Sequence, residues 1–187
     1  MKKRLKVLFL LAVIAVSVVA ATYFIDMWYT RFTHPLSYLD LVREASQNFA
    51  VPEAIVLAVI KNESGFQEDA VSAAGATGLM QIMPDTFTYL CSKRNLEAMD
   101  PVRLIEPDVN IEFGTYYLSL LFARFEDWDV TLAAYNAGQG RVGQWLKNEE
   151  YAKDGKLFYI PIEETRNYLK RVNDSITVYE SLLASDH

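Results

Sequence analysis

From Val7 to Ile25 the chain carries no charged side chain and is largely apolar. A stretch of that length spans a bilayer core as a helix. Met1 to Lys6 is basic ahead of it, through Lys2, Lys3, Arg4 and Lys6, and Tyr23, Trp28 and Tyr29 supply an interfacial aromatic belt after it. A retained single-pass anchor over residues 1–29 is the favoured reading. A cleaved signal peptide is the rival, because Val18-Val19-Ala20 and Val19-Ala20-Ala21 loosely fit a small-residue cleavage site. Both readings place the remainder outside the cytoplasmic membrane, since the basic end stays inside. Residues 30–36 read as a spacer, and 37–187 as one domain.

Beyond the four basic residues of the N-terminus, the chain holds 14 basic against 24 acidic residues. Such a balance excludes nucleic acid as a partner, which needs clustered Lys and Arg. Cys91 is the sole cysteine, so no intramolecular disulfide forms, and with His34 and the terminal His187 it makes no metal set. The expectation is an enzyme without metal or cofactor, acting as a monomer.

Helical spacing recurs over 37–49, 85–94, 107–125 and 163–183, and Tyr168, Val172, Ile176, Tyr179 and Leu183 fall on one stripe of the last segment. Asp129 is read as the cap of a short helix ending near Gly138, Gly140 to Lys147 as another short helix, and Glu149 to Phe158 as irregular. No period-two alternation persists, so the class is mainly α.

The segment after Pro52 is the most informative about chemistry. Ala54 to Ile60 is an apolar run followed by Asn62-Glu63-Ser64-Gly65. As a helix, with Pro52 in its first position, it places Val56, Val59 and Ile60 on the face of Glu63. Burial and the negative helix end both disfavour the anion of such a carboxyl. A carboxyl kept protonated near neutrality is what a general acid requires. From the segment alone, a half-exposed Glu at a frayed helix end is the other reading.

Downstream lie Ser72, then Gly75-Ala76-Thr77-Gly78-Leu79-Met80-Gln81-Ile82-Met83-Pro84, then Ala133-Ala134-Tyr135-Asn136-Ala137-Gly138, then Ile160-Pro161 before Glu164-Thr165-Arg166-Asn167-Tyr168. Taken with Glu63-Ser64, this order and spacing resembles the catalytic domain of soluble-type lytic transglycosylases, relatives of goose-type lysozyme. The resemblance covers about residues 36–183 and decides the two readings of Glu63. It implies a lysozyme-like helical domain that binds peptidoglycan glycan strands. It implies Glu63 as the catalytic acid, and Ser72, Gln81, Met83, Tyr135, Asn136 and Glu164 as substrate contacts. Gly75, Gly78 and Leu79 would shape the loop beneath. Ile162 departs from the pattern, standing where the family often has an aromatic residue. Glu68 and Asp69 lie near Glu63 in sequence and are the residues a water-activating base would come from if cleavage were hydrolytic.

Overall fold

Seven consecutive apolar residues leave a helix no polar face, and the helix carrying Glu63 is buried accordingly. In the computed structural model, which describes residues 2–185, α3 spans Glu53–Glu63 and every residue from Ala54 to Ile60 is buried. The apolar face expected to hold Glu63 is therefore no separate face, because the helix is wrapped on all sides. Pro52 is its cap rather than its first residue. Glu53, in the first turn, pairs with Arg43 of α2 (Leu39–Phe49) at 3.6 Å.

The helices around it are α4 (Pro84–Lys93), α5 (Pro107–Phe125), α6 (Trp128–Ala137), α7 (Gln139–Trp145) and α8 (Glu163–Ala184). α8 packs along α3, α2 packs on α5, and α6 lies against α5, α7 and α8. The seam of α8 is Thr165, Tyr168, Val172, Ser175, Tyr179 and Leu182, spaced alternately by three and four. Ile176 and Leu183, placed on that stripe from sequence, are half-buried beside it. Ser175 holds the seam position because its hydroxyl accepts from Asn62 Nδ2 at 3.0 Å. The same amide nitrogen donates to the Ala58 carbonyl at 2.9 Å, so Asn62 pins the end of α3 to α8.

Two local readings change, and one turn is added. Asp127, not Asp129, caps α6: its Oδ1 accepts from the Val130 N–H at 3.0 Å. Asp129 lies in the first turn and instead receives a bond from Asn173 of α8. Pro101–Ile105 forms a 3₁₀ turn capped by Asp100. The supposedly irregular stretch contains a hairpin, β1 (Ala152–Lys153) against β2 (Lys156–Leu157), antiparallel. Asp154 and Gly155 make its turn with φ of 52° and 76°. A tight hairpin turn demands positive φ at both central residues, and Asp-Gly supplies them at low cost. Two-residue strands are too short to register as alternation.

The N-terminal helix, α1, runs Lys2–Thr33. It continues through residues 30–33, which the sequence reading assigned to a spacer. Its apolar part reaches a mean hydropathy of 2.6, and among the described residues it is the one helix long and apolar enough to cross a membrane. Residues 1–36 and 37–187 form two separate compact units. His187 lies outside the described residues.

Candidate active site

The end of α3 is locked rather than frayed. Ser64 is buried; its hydroxyl donates to the Ile60 carbonyl and accepts from the Phe66 N–H at 3.1 Å. Glu63, just before it, is half-buried. Burial lifts its carboxyl from 4.5 to about 7. Two weaker influences oppose this, the Tyr168 hydroxyl and then the Arg171 charge, both from α8. The Tyr168 hydroxyl is buried and, among the described residues, closes no hydrogen bond. It therefore acts on the carboxylate as a nearby dipole, not as a formed partner. For both Tyr168 and Tyr135, burial raises the phenol pKa first and the charge of Glu63 raises it next. Glu63, Tyr135 and Tyr168 thus form one electrostatic cluster.

The small-residue loop after α3 is built by its own polar groups. The Ser72 hydroxyl accepts from the Ala76 N–H at 3.0 Å, and the Ser72 N–H donates to the Ala76 carbonyl at 2.9 Å. Thr77 exchanges backbone bonds with Ile82. Gln81 sits at φ 48°, unusual for a residue with a side chain. Its Nε2 donates to the carbonyls of Ala70 (3.0 Å) and Gly78 (2.9 Å), which secures that turn. The sequence reading gave Gln81 wholly to ligand; the structure spends its nitrogen on the loop and leaves Oε1 as the acceptor.

Beneath the loop lies Asn110 of α5, fully buried, which sequence reasoning did not single out. Its Nδ2 donates to the carbonyls of Thr77 (2.9 Å) and Leu104 (2.7 Å), and its Oδ1 accepts from the Met80 N–H at 2.7 Å. Gly78 presses against this amide: a Cβ there would collide with the Leu104 carbonyl and with Asn110, and its φ is +79°. Gly114, one turn along α5, leaves the space that the Met80 side chain fills. A glycine in the middle of a long helix was the available signal for that close approach. We expect Gly78→Ala to lower the melting temperature by several degrees, read by thermal unfolding. The added methyl meets backbone, which cannot swing away, at a φ that alanine resists.

The Met80 carbonyl in turn accepts from the Tyr135 hydroxyl at 2.7 Å. The Tyr135 ring lies 5.4 Å from that of Tyr117. Asn136 is held from the other side, its Oδ1 accepting from Thr165 of α8 at 2.8 Å. Gly138, at φ 92°, ends α6 and turns the chain into α7. Between loop and helices opens a cleft of about 240 Å³, lined by Gln81, Ile82, Met83, Thr86, Tyr117, Tyr135, Asn136, Ala137 and Gly138.

Four residues named from sequence, Gln81, Met83, Tyr135 and Asn136, therefore meet in one cleft. Leu79 and Gly78 lie buried beneath, and Gly75 takes φ 88° in the Ser72 turn. Glu63 is not a wall of the cleft; it connects to it through Tyr135. Ser72 and Glu164 do not line it either, and Glu164 is exposed at the start of α8. Thr86 and Tyr117 are lining residues that the motifs did not indicate. Glu68 and Asp69 are exposed, and Glu68 is engaged by the Tyr38 hydroxyl at 2.8 Å.

A model of the transglycosylase SLT domain matches residues 40–158. The chain belongs to the SLT transglycosylase domain family. This SLT domain is 37% identical over 142 residues to the soluble lytic murein transglycosylase of Escherichia coli K12, a match covering 74% of this chain and 22% of that one. It is 31% identical over 168 residues to membrane-bound lytic murein transglycosylase C of Edwardsiella ictaluri, covering 78% of this chain and 47% of the relative. Among solved structures it resembles the 70-kDa soluble lytic transglycosylase in complex with bulgecin A, with a TM-score of 0.75 and 32% identity, over 84% of this chain and 26% of that one. It also resembles an inactive glutamate-to-glutamine mutant of the lytic transglycosylase Slt from Pseudomonas aeruginosa, with a TM-score of 0.73 and 35% identity, over 81% and 25% of the two chains. The SLT chain spans about a quarter of its soluble relatives' length and under half of the membrane-bound one. Its fold is the mainly α, lysozyme-like one of these neighbours.

Proposed function

We propose that this SLT domain is a peptidoglycan lytic transglycosylase, a carbon–oxygen lyase that cleaves the β-1,4 bond between N-acetylmuramic acid and N-acetylglucosamine without adding water. The observation that carries this reading is Glu63. It is a carboxyl whose pKa is lifted to about 7 by burial, at the locked end of a helix buried from Ala54 to Ile60, coupled to two phenols beside a cleft. The relatives' names, and the inactivity of a Glu-to-Gln form of one of them, support it.

Protonated Glu63 gives its proton to the leaving glycosidic oxygen. Positive charge develops on the muramyl ring. The resulting Glu63 carboxylate then takes the proton from that sugar's own 6-hydroxyl, whose oxygen closes onto C1 as a 1,6-anhydro ring. One carboxyl performs both transfers, so no second carboxylate is required, unlike the usual glycosidase pair. The lone pairs of the Tyr135 oxygen and of Gln81 Oε1 face developing charge and hydroxyl groups. Met83 packs on the apolar face of a sugar. Glu164, next to the Thr165 that bonds Asn136, stands where a longer strand passes beyond the cleft, and Ser72 serves by holding the loop. α1 tethers the domain to the cytoplasmic membrane as a single pass, with the domain on the wall side. One copy contains every group named, so a monomer suffices.

The first step needs the acid form. Because the folded pKa lies above the ordinary carboxylate value, that form predominates below about pH 7. We expect kcat/KM to fall as pH rises through about 7, by roughly tenfold per unit beyond it. A profile flat from pH 5 to 8 contradicts the assignment. The reaction class is tested by digesting purified wall with residues 37–187 and weighing the ends by mass spectrometry. Anhydromuramyl ends support the lyase. Reducing ends carrying added water mean a lysozyme-type hydrolase instead.

A further inference from the structure

The cleavage scheme leaves Arg124 unused, although it stands next to the cleft. It follows Tyr117 by seven residues on α5, so the two share a face about 10 Å apart. Tyr117 and Gly138 are walls of the cleft. Gln139, which follows Gly138, accepts from Arg124 Nη1 through its Oε1 at 2.7 Å. The guanidinium carbon lies 5.1 Å from the centroid of the Phe125 ring. At Gly143 a Cβ would come 3.2 Å from Nη2, and no side chain stands there. After burial, the groups that influence the Tyr117 phenol are Tyr89 and Arg124, which places both beside it. Lys93 adds a second cation, 5.5 Å from the centre of the Tyr89 ring.

The partners that hold Arg124 are neutral. Arg43, Arg94 and Arg103 each meet a carboxylate, whereas no ion pair of Arg124 occurs among the described residues. An arginine aimed by an amide and a ring, and left without a counter-charge in a domain with excess acid, has its fork available for an anion.

We propose that Arg124, oriented by Gln139 and Phe125, binds a carboxylate of the stem peptide borne by the muramyl residue in the cleft. The proposal rests on the peptidoglycan reading above. Three extended residues span about 10 Å, which is the separation of Tyr117 and Arg124 along α5. A stem leaving the sugar at Tyr117 thus brings its distal carboxylates to the guanidinium. The lactyl carboxylate of a peptide-free sugar stays at the ring and falls short. Arg124 then selects strands that carry stems, and it offsets the repulsion between an acidic domain and an acidic polymer.

The test measures binding by the full chain in detergent, carrying Glu63→Gln so that strands are not consumed. Three fluorescent strand preparations are compared: intact stems, stems with their carboxylates amidated, and strands stripped of stems. Adding Arg124→Gln should weaken binding to intact-stem strands by roughly fivefold, the upper range for an exposed ion pair. It should leave the other two unchanged. Arg124→Lys should recover part of the loss, and high salt should close the gap. An equal loss on all three preparations would assign Arg124 a purely structural role and overturn the proposal, as would unchanged affinity for intact stems. A parent protein that binds none of the three would remove the peptidoglycan reading itself, and this proposal with it.

Discussion

Glu63→Gln should abolish turnover while making the folded domain more stable above neutral pH. Removing a general acid typically costs about 10²- to 10⁴-fold, and here the same group also serves as the base. Strand binding should survive, because Gln keeps the volume and hydrogen-bonding outline of protonated Glu. The stability effect follows from linkage. The folded pKa of about 7 lies above the ordinary value of 4.5, so the native state binds the extra proton between those values. Stability contributed by that protonation is complete below about pH 4.5 and lost as pH rises through about 7. Gln never ionises and escapes the loss. At pH 8 the variant should therefore gain about 3 kcal/mol over the parent, narrowing to under about 1 kcal/mol at pH 5. Urea denaturation of residues 37–187 at both pH values measures this. Equal stability at pH 8 would mean that the carboxyl is not held in a low-dielectric site.

Asn110→Ala should be the most damaging change away from the cleft. It strands the Met80 N–H and the carbonyls of Thr77 and Leu104 in a buried place. Each buried polar group left unpaired costs about 1–3 kcal/mol. Some relaxation is expected, so the total should be on the order of 3–5 kcal/mol. Activity should suffer separately. The Met80 peptide is the acceptor for Tyr135, so a loosened Met80 releases the phenol beside Glu63. At a temperature where the variant is folded, kcat should drop by roughly tenfold, with the pH midpoint displaced. A loss under about 1 kcal/mol in urea denaturation would contradict the role given to this network.

The parts of the fold set by local chemistry are legible in the sequence alone. α5 runs from Pro107 to Phe125 as read, because proline marks a helical start and the apolar spacing persists for five turns. Glu63 holds its expected placement only in part. It does stand at a buried helix end, but the helix is enclosed on all sides, which periodicity over so short a run does not reveal. The cap of α6 was misplaced because Asp127 and Asp129 flank Trp128, and either carboxylate suits a helix start. Only the observed Val130 bond separates them. The hairpin at 152–157 went unread: Asp154-Gly155 is a turn signal, but the two-residue strands beside it are too short to show a pattern.

Asn110 was illegible for a different reason. Its partners Thr77, Met80 and Leu104 come from two other segments, and their backbone groups have no sequence signature. An asparagine in the first turn of a helix looks like ordinary surface polarity. The same limit applies to Gln81. Its motif was clear, but its positive φ and the inward turn of its nitrogen depend on where the Ala70 and Gly78 carbonyls lie. Motif order identified the family, whereas the division of labour within the motif needed the fold.

The central claim is that one enclosed side chain holds a proton near neutral pH. Carbon NMR of the folded domain, with Glu63 assigned by its absence in Glu63→Gln, follows that group through a pH titration. The account predicts a midpoint of about 7, with the carboxyl mainly protonated at pH 6. A midpoint near 4.5, leaving it ionised throughout the mildly acidic range, would contradict the account.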